Sequence, residues 1–185
     1  MRKSILTVLT AILLTSPAML WAFEPDTSSE IQLDVAKAIL DIKKADPGIE
    51  KFFENSAGYA VFPTVGKGAI GVGGAHGKGL VIVNDKAIGK TSLSQITVGL
   101  SLGGQKYSQF IFFKDDVALG HFQRGNYEMG AQASAVAVTA GASADADYDK
   151  GVAVFTNVGG GLMADASVGG QKFTYSPLPA TSAAA

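Results

Sequence analysis

The sequence of 185 residues contains no cysteine, which excludes disulfide bonds, thiol nucleophiles and a lipid anchor attached to an N-terminal cysteine. Only two histidines occur, His76 and His121, and neither has a second histidine or a carboxylate at metal-ligand spacing. We expect both to lie at the surface or to pack in the core. After the N-terminus, no apolar run is long enough to span a membrane. The sequence therefore offers no sign of a metal or a cofactor.

The N-terminus has the composition of a secretory signal peptide. Arg2 and Lys3 precede an apolar run of about ten residues, which is too short to cross a bilayer, and alanine stands at positions 18 and 22. We predict that residues 1–22 form a signal peptide and that cleavage follows Ala22. Cleavage after Ala18 or an uncleaved anchor are the alternatives. The protein is then expected to be exported, to the periplasm or the medium.

Positive charge is scarce in the predicted mature chain. The sequence has 15 basic and 16 acidic residues, and removing Arg2 and Lys3 leaves 13 basic residues, a net charge of −3, with Arg124 as the single arginine. Nucleic-acid binders carry basic faces, so this balance gives no reason to expect a nucleic-acid partner. The length that remains is enough for one domain with a core of its own.

Two helices are predicted at the start of the mature chain. Thr27 and Glu30 match a capping box, and apolar residues at three- and four-residue spacing follow, which predicts an amphipathic helix over residues 28–45. Asp46 and Pro47 suit the start of a second, short helix. The apolar stripe of the first helix either packs on a sheet or lies at a membrane interface. Its polar face mixes both signs of charge, which favours packing.

From Tyr59 onward, short β-branched and aromatic runs alternate with glycine, which predicts an antiparallel sheet. The fold class that we expect is α+β and mostly antiparallel β: a glycine-rich sandwich or barrel-like sheet with N-terminal helices. The segment "DDVALGHFQRG" is expected to form one or two helical turns. Residues 23–178 are expected to form a single domain, and residues 179–185 a disordered tail.

Glycine-rich segments recur three times in this region. "VGGAHGKG" at 72–79, "LGGQKYSQ" at 102–109 and "VGGQKFTY" at 168–175 share a pattern, which we interpret as hairpins of one sheet. Glycine pairs in strands mark bulges or places where another backbone lies close, so we expect these glycines to be structural. They are Gly73, Gly74, Gly103, Gly104, Gly169 and Gly170.

Three short motifs that resemble enzyme or metal sites lack the context that those sites need. "GKGAIG" at 66–71 has the spacing of a dinucleotide fingerprint, but the glycines that follow it are unsuited to a helix. "GLSLG" at 99–103 matches a hydrolase elbow, yet Ser101 is followed by another strand-like run instead of a helix. "DADYD" at 145–149 lacks the glycine and the glutamate of a calcium loop. We therefore predict a protein that is not an enzyme and that binds no nucleotide or metal.

The order of segments resembles the SYLF lipid-binding domain family. The matching stretches are "AGYAVFPTVGKGAIGVGGAHGKGLV" (57–81), "VGLSLGGQKYSQFIFF" (98–113), the joint "ALGHFQRGNYEMGAQASA" and "GASADADYDKGVAVFTNVGGGLMADASVGGQKFTY" (141–175), which cover nearly all of the mature chain. The resemblance implies a lipid-binding module. Eukaryotic members resemble adaptors of the cortical actin machinery that bind phosphoinositides and, in some cases, actin filaments. Bacterial members are exported proteins with no established reaction.

The function that the resemblance implies is an exported, non-catalytic module that associates with membrane phospholipid. The alternative is a structural or protein-interaction component of the cell envelope. A signal peptide argues against an actin partner, and an acidic chain with one arginine argues against a phosphoinositide. Because an acidic chain attracts lipid only where its basic residues are gathered, we expect a peripheral association with anionic headgroups. The candidate lipid-contacting residues are Lys67, Lys78, Lys86, Lys90, Lys106, Lys172 and Arg124.

Export can be tested through the sole tryptophan. Because Trp21 precedes the predicted cleavage site, the mature protein should show tyrosine fluorescence alone, and its intact mass should correspond to residues 23–185. Mass spectrometry of protein from the periplasmic or culture fraction checks the cleavage site directly. A full-length mass found for protein in the cytoplasm would contradict the prediction.

Overall fold

The computed structural model describes residues 23–125, 127–129, 136–137, 139–168 and 170–179, with the backbone alone at 69–71, 98–102, 136–137 and 159–168. The predicted signal peptide, Gly169 and most of the predicted tail lie outside these residues. Within the described ranges, no helix combines the length and the apolar character that a membrane crossing needs. The fold is α+β, as the sequence predicts: helices pack against a curled, barrel-like and mostly antiparallel sheet.

Two helices precede the sheet, and a third follows its two longest strands. Helix α1 spans Glu30–Ala45, a single 3-10 turn spans Pro47–Ile49, α2 spans Glu50–Asn55 and α3 spans Asp116–Gln123. All three lie where the sequence predicts helical structure. Apolar periodicity located α1, the Asp-Pro start signal located α2, and the interruption of the strand-like runs located α3.

The predicted capping box at the start of α1 is wrong. Ser29 takes the N-cap position, and its side chain makes no cap hydrogen bond. Asp26 instead accepts hydrogen bonds from the backbone N–H and the hydroxyl group of Ser28, at 2.9 and 2.7 Å. An aspartate that bonds to the residue two positions ahead stabilises a turn. This turn, rather than a reciprocal cap, leads the chain into α1.

The described residues form a sheet of six strands. They are β1 (Gly58–Val83), β2 (Lys86–Phe113), β3 (Tyr127–Met129), β4 (Val136–Ala137), β5 (Val152–Val168) and β6 (Gln171–Pro177). Strand β2 is central: β1 pairs along one of its edges, and β6 and β5 pair with successive parts of the other. Strand β3 extends the sheet beyond β6, and β4 lies parallel to β5 at the opposite end.

Strands β1 and β2 form one hairpin of 26 and 28 residues, where the sequence suggests several short strands. The hairpin closes at Asn84 and Asp85, whose φ angles of 48° and 59° suit a two-residue type I′ turn. Register shifts at 62–65, 70–72 and 81–82 bend the pair without ending it. The glycines do not interrupt β1 because it remains paired with β2 along most of its length.

The hairpin curls so that the two halves of β1 meet. A Cβ atom on Gly77 would lie 2.8 Å from a methyl group of Val65 and 3.0 Å from the carbonyl oxygen of Thr64. On Gly79 it would overlap the carbonyl oxygen of Val61. Because any side chain at these two positions would meet the opposite half of the strand, glycine is what permits the curl.

The helices cover part of the outer face of the curled sheet. Phe52 of α2 lies over the sheet, with its ring centroid 4.8 Å from that of Phe155 and 5.6 Å from that of Phe112. The apolar stripe of α1 packs on the same core, and its buried members are Val35, Ala38, Ile39 and Ile42. The expectation that this stripe packs on a sheet is confirmed.

The inner face of the sheet forms a second core, to which α3 contributes. Phe122 of α3 is fully buried, with its ring centroid 4.9 Å from that of Phe113 and 5.5 Å from that of Phe173. Phe113 ends β2 and Phe173 lies on β6, so α3 joins two strands of the curled sheet from the inside.

Two glutamine side chains join β2 and β6 farther along the inner face. Gln109 of β2 is fully buried, and its side-chain amide donates to the side-chain oxygen of Gln171 on β6 at 2.8 Å. The amide of Gln171 donates back to Gln109 at 3.1 Å. Each amide supplies the donor that the other needs, which offsets part of the cost of burying polar groups.

Asp46 joins the helical layer to the loop that precedes β5. Its side chain is 2% exposed and accepts hydrogen bonds from the backbone N–H groups of Gly48, Gly141 and Ser143, at 3.1, 3.3 and 2.6 Å. Burial acts to raise the pKa of Asp46, but the hydrogen bonds outweigh it and the pKa is lowered from 3.8. Asp46, which the sequence assigns to a helix start, therefore also makes a long-range contact.

The glycines singled out in the sequence differ in what they do. Gly103 has a φ angle of 120°, which other residues rarely adopt. A Cβ atom on Gly74 or Gly104 would meet its nearest neighbour at 3.4 or 3.7 Å, an ordinary contact. Crowding instead requires glycine at Gly77 and Gly79, outside the predicted pairs.

Replacing Gly79 with alanine tests whether the curl depends on a bare backbone. Because the new Cβ would overlap the carbonyl oxygen of Val61, we expect Gly79→Ala to lower the free energy of unfolding by about 2 kcal/mol or more. Gly68→Ala on the same strand is the control, since no atom lies within 4 Å of its Cβ position, and its stability should hold or rise by about 0.5 kcal/mol. Urea titrations measure both, and equal stabilities would contradict the assignment.

Asp46→Asn tests the contact between the helical layer and the loop. Because the folded pKa lies below the unfolded value, the stability from Asp46 is present above the unfolded pKa and is lost as the pH falls through the folded pKa. We expect Asp46→Asn to be about 2 kcal/mol less stable than the parent near neutral pH, with the difference narrowing below about pH 4. Denaturant titrations from pH 7 to pH 2.5 measure it. The exposed Asp145→Asn in the same loop is the control, and a constant difference across this range would contradict the assignment.

Candidate functional site

Lysine, serine and threonine side chains occupy the part of the outer face that the helices leave uncovered. Strand alternation places them on the side opposite to the buried Val81, Leu93 and Phe173. We call this surface the lysine face. Its members are Lys78 and His76 on β1, Lys90, Ser92 and Ser94 on β2, and Lys172 and Thr174 on β6.

The pairing of the strands brings three lysines together on this face. Lys78 is paired with Ser92, which in turn is paired with Thr174, while Lys90 is the diagonal neighbour of Lys78. Lys172 lies on β6, two residues before Thr174. It is two strands away from Lys78, which is about 10 Å in the direction perpendicular to the strands. The hydroxyl groups of Ser92 and Thr174 are 2.6 Å apart. Ammonium and hydroxyl groups of this kind bind anionic oxygen atoms.

The lysine face has a positive charge in a chain that is acidic as a whole. Lys172 lies 3.4 Å from Glu128, but both side chains are more than half exposed, so the pair is weak. Lys78 and Lys90 are exposed and make no ion pair with the described residues. The face therefore keeps a net positive charge.

Two large apolar side chains continue the outer face beyond the lysines. Ile96 and Val72 are 74% and 64% exposed, the two highest values among the large exposed hydrophobic residues of the described strands. Ile96 is paired with Gly74, which has no side chain to cover it, and Val72 is two residues away on the same side of β1. The exposed part of the outer face therefore combines apolar and basic side chains.

Four candidate residues from the sequence lie away from the lysine face. Lys67 points to the same side of β1 as the buried Val65, which is the inner side, and it is partly buried there. Lys86 is paired with Val83 beside the β1–β2 turn, and it also belongs to the inner side of the sheet. Arg124 follows α3 and is exposed there.

Lys106 lies on the outer side but beside α1. It is paired with Gly66 and Gly160, and it lines a groove of about 420 Å³ together with Asp34 and Asp41. Lys106 and Lys172 hold the same place in the repeated segments but are not neighbours, because Lys106 lies on β2 itself, well beyond Ser94, which is the β2 residue paired with Lys172.

A larger groove of about 780 Å³ lies at the other side of α1, between the helices, the N-terminal segment and the β1–β2 turn. We call it the helix groove. Its apolar wall includes Phe23, Leu40 and Phe53, and Asp85 of the turn lies at its edge. The helix groove is not among the sites that the sequence predicts. The signal that points to it is Leu40, an apolar residue off the buried stripe of α1 that is 58% exposed.

The enzyme-like motifs are parts of strands. The segment 66–71 continues along β1, and Ser101 lies within β2, so neither is followed by the helix that its motif requires. In the described ranges no three His, Asp or Glu side chains are grouped to hold a metal ion. His76 and His121 are both exposed, in agreement with the expectation.

Comparison with known proteins supports the resemblance found in the sequence. Residues 94–177 match the sequence model of the Ysc84 family, which is described as "Las17-binding protein actin regulator". The chain is also 28% identical over 155 residues to beta cell expansion factor A of Aeromonas veronii, a match that covers 80% of this chain and 59% of that protein. The family match includes Ser94 and Lys172 of the lysine face and begins after Lys90.

Proposed function

Because residues 94–177 match the sequence model of the Ysc84 (SYLF) family, which is associated with lipid binding, we propose that the chain is an exported, non-catalytic module that binds anionic membrane phospholipid through the lysine face. The observation that carries the proposal is the convergence of Lys78, Lys90 and Lys172 from three neighbouring strands on one exposed surface. The strand setting of both enzyme-like motifs supports a role without catalysis.

Electrostatic attraction at this face is large enough to matter. A lysine close to an anionic membrane contributes about 1 kcal/mol, and the contribution decays over about 8 Å at physiological salt. Three lysines on neighbouring strands can approach the phosphates together, and the ion pair that they make among the described residues is the weak one between Lys172 and Glu128. The short decay length therefore lets a chain with a negative net charge bind an anionic surface in one orientation.

The exposed apolar pair supports the same orientation. Ile96 and Val72 follow the lysines along the outer face, so a membrane that contacts the lysines also contacts these two side chains. Apolar surface removed from water contributes about 25 cal/mol per Å². Phosphate binding and shallow insertion of Ile96 then stabilise one docked arrangement.

The same apolar pair also favours a second candidate function, as a structural or protein-interaction component of the cell envelope. An exposed isoleucine beside a charged rim is typical of protein interfaces as well as of membrane contacts. A protein partner would not require vesicles and would not distinguish anionic from zwitterionic lipid.

The proposal predicts that the three lysines control binding to anionic vesicles. We compare a Lys78→Gln, Lys90→Gln, Lys172→Gln variant with a control in which Lys86, Lys106 and Arg124 are changed to glutamine, so that the total charge is the same in both. At low salt the lysine-face variant should bind about 100-fold more weakly than the parent, and the control should lose less than about threefold. Co-sedimentation with vesicles that contain or lack anionic lipid measures both.

Salt and lipid composition complete the test. Binding should fall as salt rises and should be weak on zwitterionic vesicles, because the attraction is electrostatic. Equal losses in the two variants would contradict the assignment to the lysine face. No binding of the parent to any vesicle, together with capture of an envelope protein that Ile96→Ser abolishes, would favour the second candidate function.

A further inference from the structure

The helix groove has the size and the apolar wall of a small-molecule site. Its volume of about 780 Å³ lies within the range of about 300 to 1,000 Å³ that is typical of ligand pockets. Apolar side chains from three parts of the chain form its wall: Phe23, Pro25, Ala36, Ile39, Leu40 and Phe53. Leu40 is 58% exposed, so a chain-like apolar ligand would gain contact area there.

A buried phenol lines the same groove without a hydrogen-bond partner. Tyr59 is 5% exposed, and its ring packs edge to face against Phe53 at 5.0 Å between centroids. Its hydroxyl group makes no hydrogen bond with any described residue. The hydroxyl oxygen is not among the fully buried side-chain atoms that lack a partner, so it is open to the groove, where the hydrogen-bonding head of a ligand can reach it.

The charges around the groove select the sign of that head. Lys43 is engaged within the protein: its ammonium group lies 2.9 Å from Glu50 and 4.6 Å from the ring centroid of Phe53. Glu54 and Asp85 also line the groove and make no ion pair with the described residues. One lysine against three carboxylates leaves the groove negative.

The pKa of Tyr59 reflects this negative charge. Burial raises the pKa of Tyr59, and the carboxylates of Asp85 and Glu50 raise it further. The hydroxyl therefore stays protonated at neutral pH, and its oxygen can accept a hydrogen bond from a cationic N–H group.

We propose that the helix groove is a second binding site, for a single-chain amphiphile with an ammonium head. The apolar chain lies along Leu40 and Phe23, and the head lies between the carboxylates of Glu54 and Asp85, within reach of the Tyr59 hydroxyl. The lysine face has the opposite charge and recognises the opposite head, so this site goes beyond the membrane role and does not depend on it.

The experiment uses two probes of equal chain length and opposite charge. Dodecylammonium and dodecanoate are titrated into the purified protein by calorimetry, below the concentrations at which they form micelles. We expect dodecylammonium to bind at least tenfold more tightly than dodecanoate. Equal affinities, or tighter binding of dodecanoate, in the triple glutamine variant, which lacks the lysine face as a second site for a carboxylate, would overturn the proposal.

Three variants locate the ligand. Asp85→Asn with Glu54→Gln should weaken dodecylammonium binding about tenfold, and asparagine suits the left-handed conformation that Asp85 adopts at φ 59°. Tyr59→Phe keeps the ring and should weaken binding about fivefold. Leu40→Gln should weaken binding of the alkyl chain about fivefold, since half of this side chain already lies in solvent.

Matched controls distinguish a loss of binding at the helix groove from general effects of substitution. Leu33→Gln changes another exposed leucine of α1 that does not line the groove, and Glu128→Gln removes a carboxylate on β3; neither should alter dodecylammonium binding. The triple glutamine variant of the lysine face should also bind it normally, which distinguishes failure of this proposal from failure of the membrane role. Equal effects of Leu40→Gln and Leu33→Gln would overturn the assignment to the groove.

Discussion

The pairing of β1 with β2 is the constraint on which the other features of this protein depend. The two strands run together over nearly all of their 26 and 28 residues, and every other strand of the described sheet attaches to β2 directly or through one neighbour. Side chains alternate between the two faces of a strand, so a slip of one residue would exchange the buried and exposed sets. Lys78 would then point toward the inner core, and apolar side chains of that core, such as Val81, would face water on the outer surface. The register therefore places both the hydrophobic layers and the charged surface.

The curled sheet keeps opposite charges on separate surfaces. The lysine face lies where the outer surface is bare, and the helix groove lies where the helices meet the β1–β2 turn. Because salt screens charges beyond about 8 Å, each surface presents its own local sign although the chain as a whole is acidic. Net charge alone is therefore a poor guide to the partners of this protein. A single fold can offer phosphate oxygens one surface and ammonium groups another.

The sequence predicted those features that depend on local pattern. Three- and four-residue spacing located α1, alternating β-branched residues indicated the sheet, and the long matched segments indicated a family whose sequence model matches residues 94–177. The sequence suggests several short strands in place of the long β1–β2 hairpin, because glycine usually weakens a strand. Here Gly77 and Gly79 instead serve a curl that forms only in three dimensions. Which lysines share a face also could not be predicted, since three register shifts change the alternation along the hairpin. Asp46 could be assigned to a helix start, but its bonds to Gly141 and Ser143 join segments about 95 residues apart.

The burial of Phe23 has a practical consequence for how the protein is handled. This side chain is 9% exposed and belongs to the core beneath the helices, so the chain is anchored at that point, and Phe23 also lines the helix groove. Any peptide joined directly ahead of Phe23 begins at the mouth of the groove. An affinity tag placed there would start beside Glu54 and Asp85, and a basic tag would be held by the same charges that select a ligand.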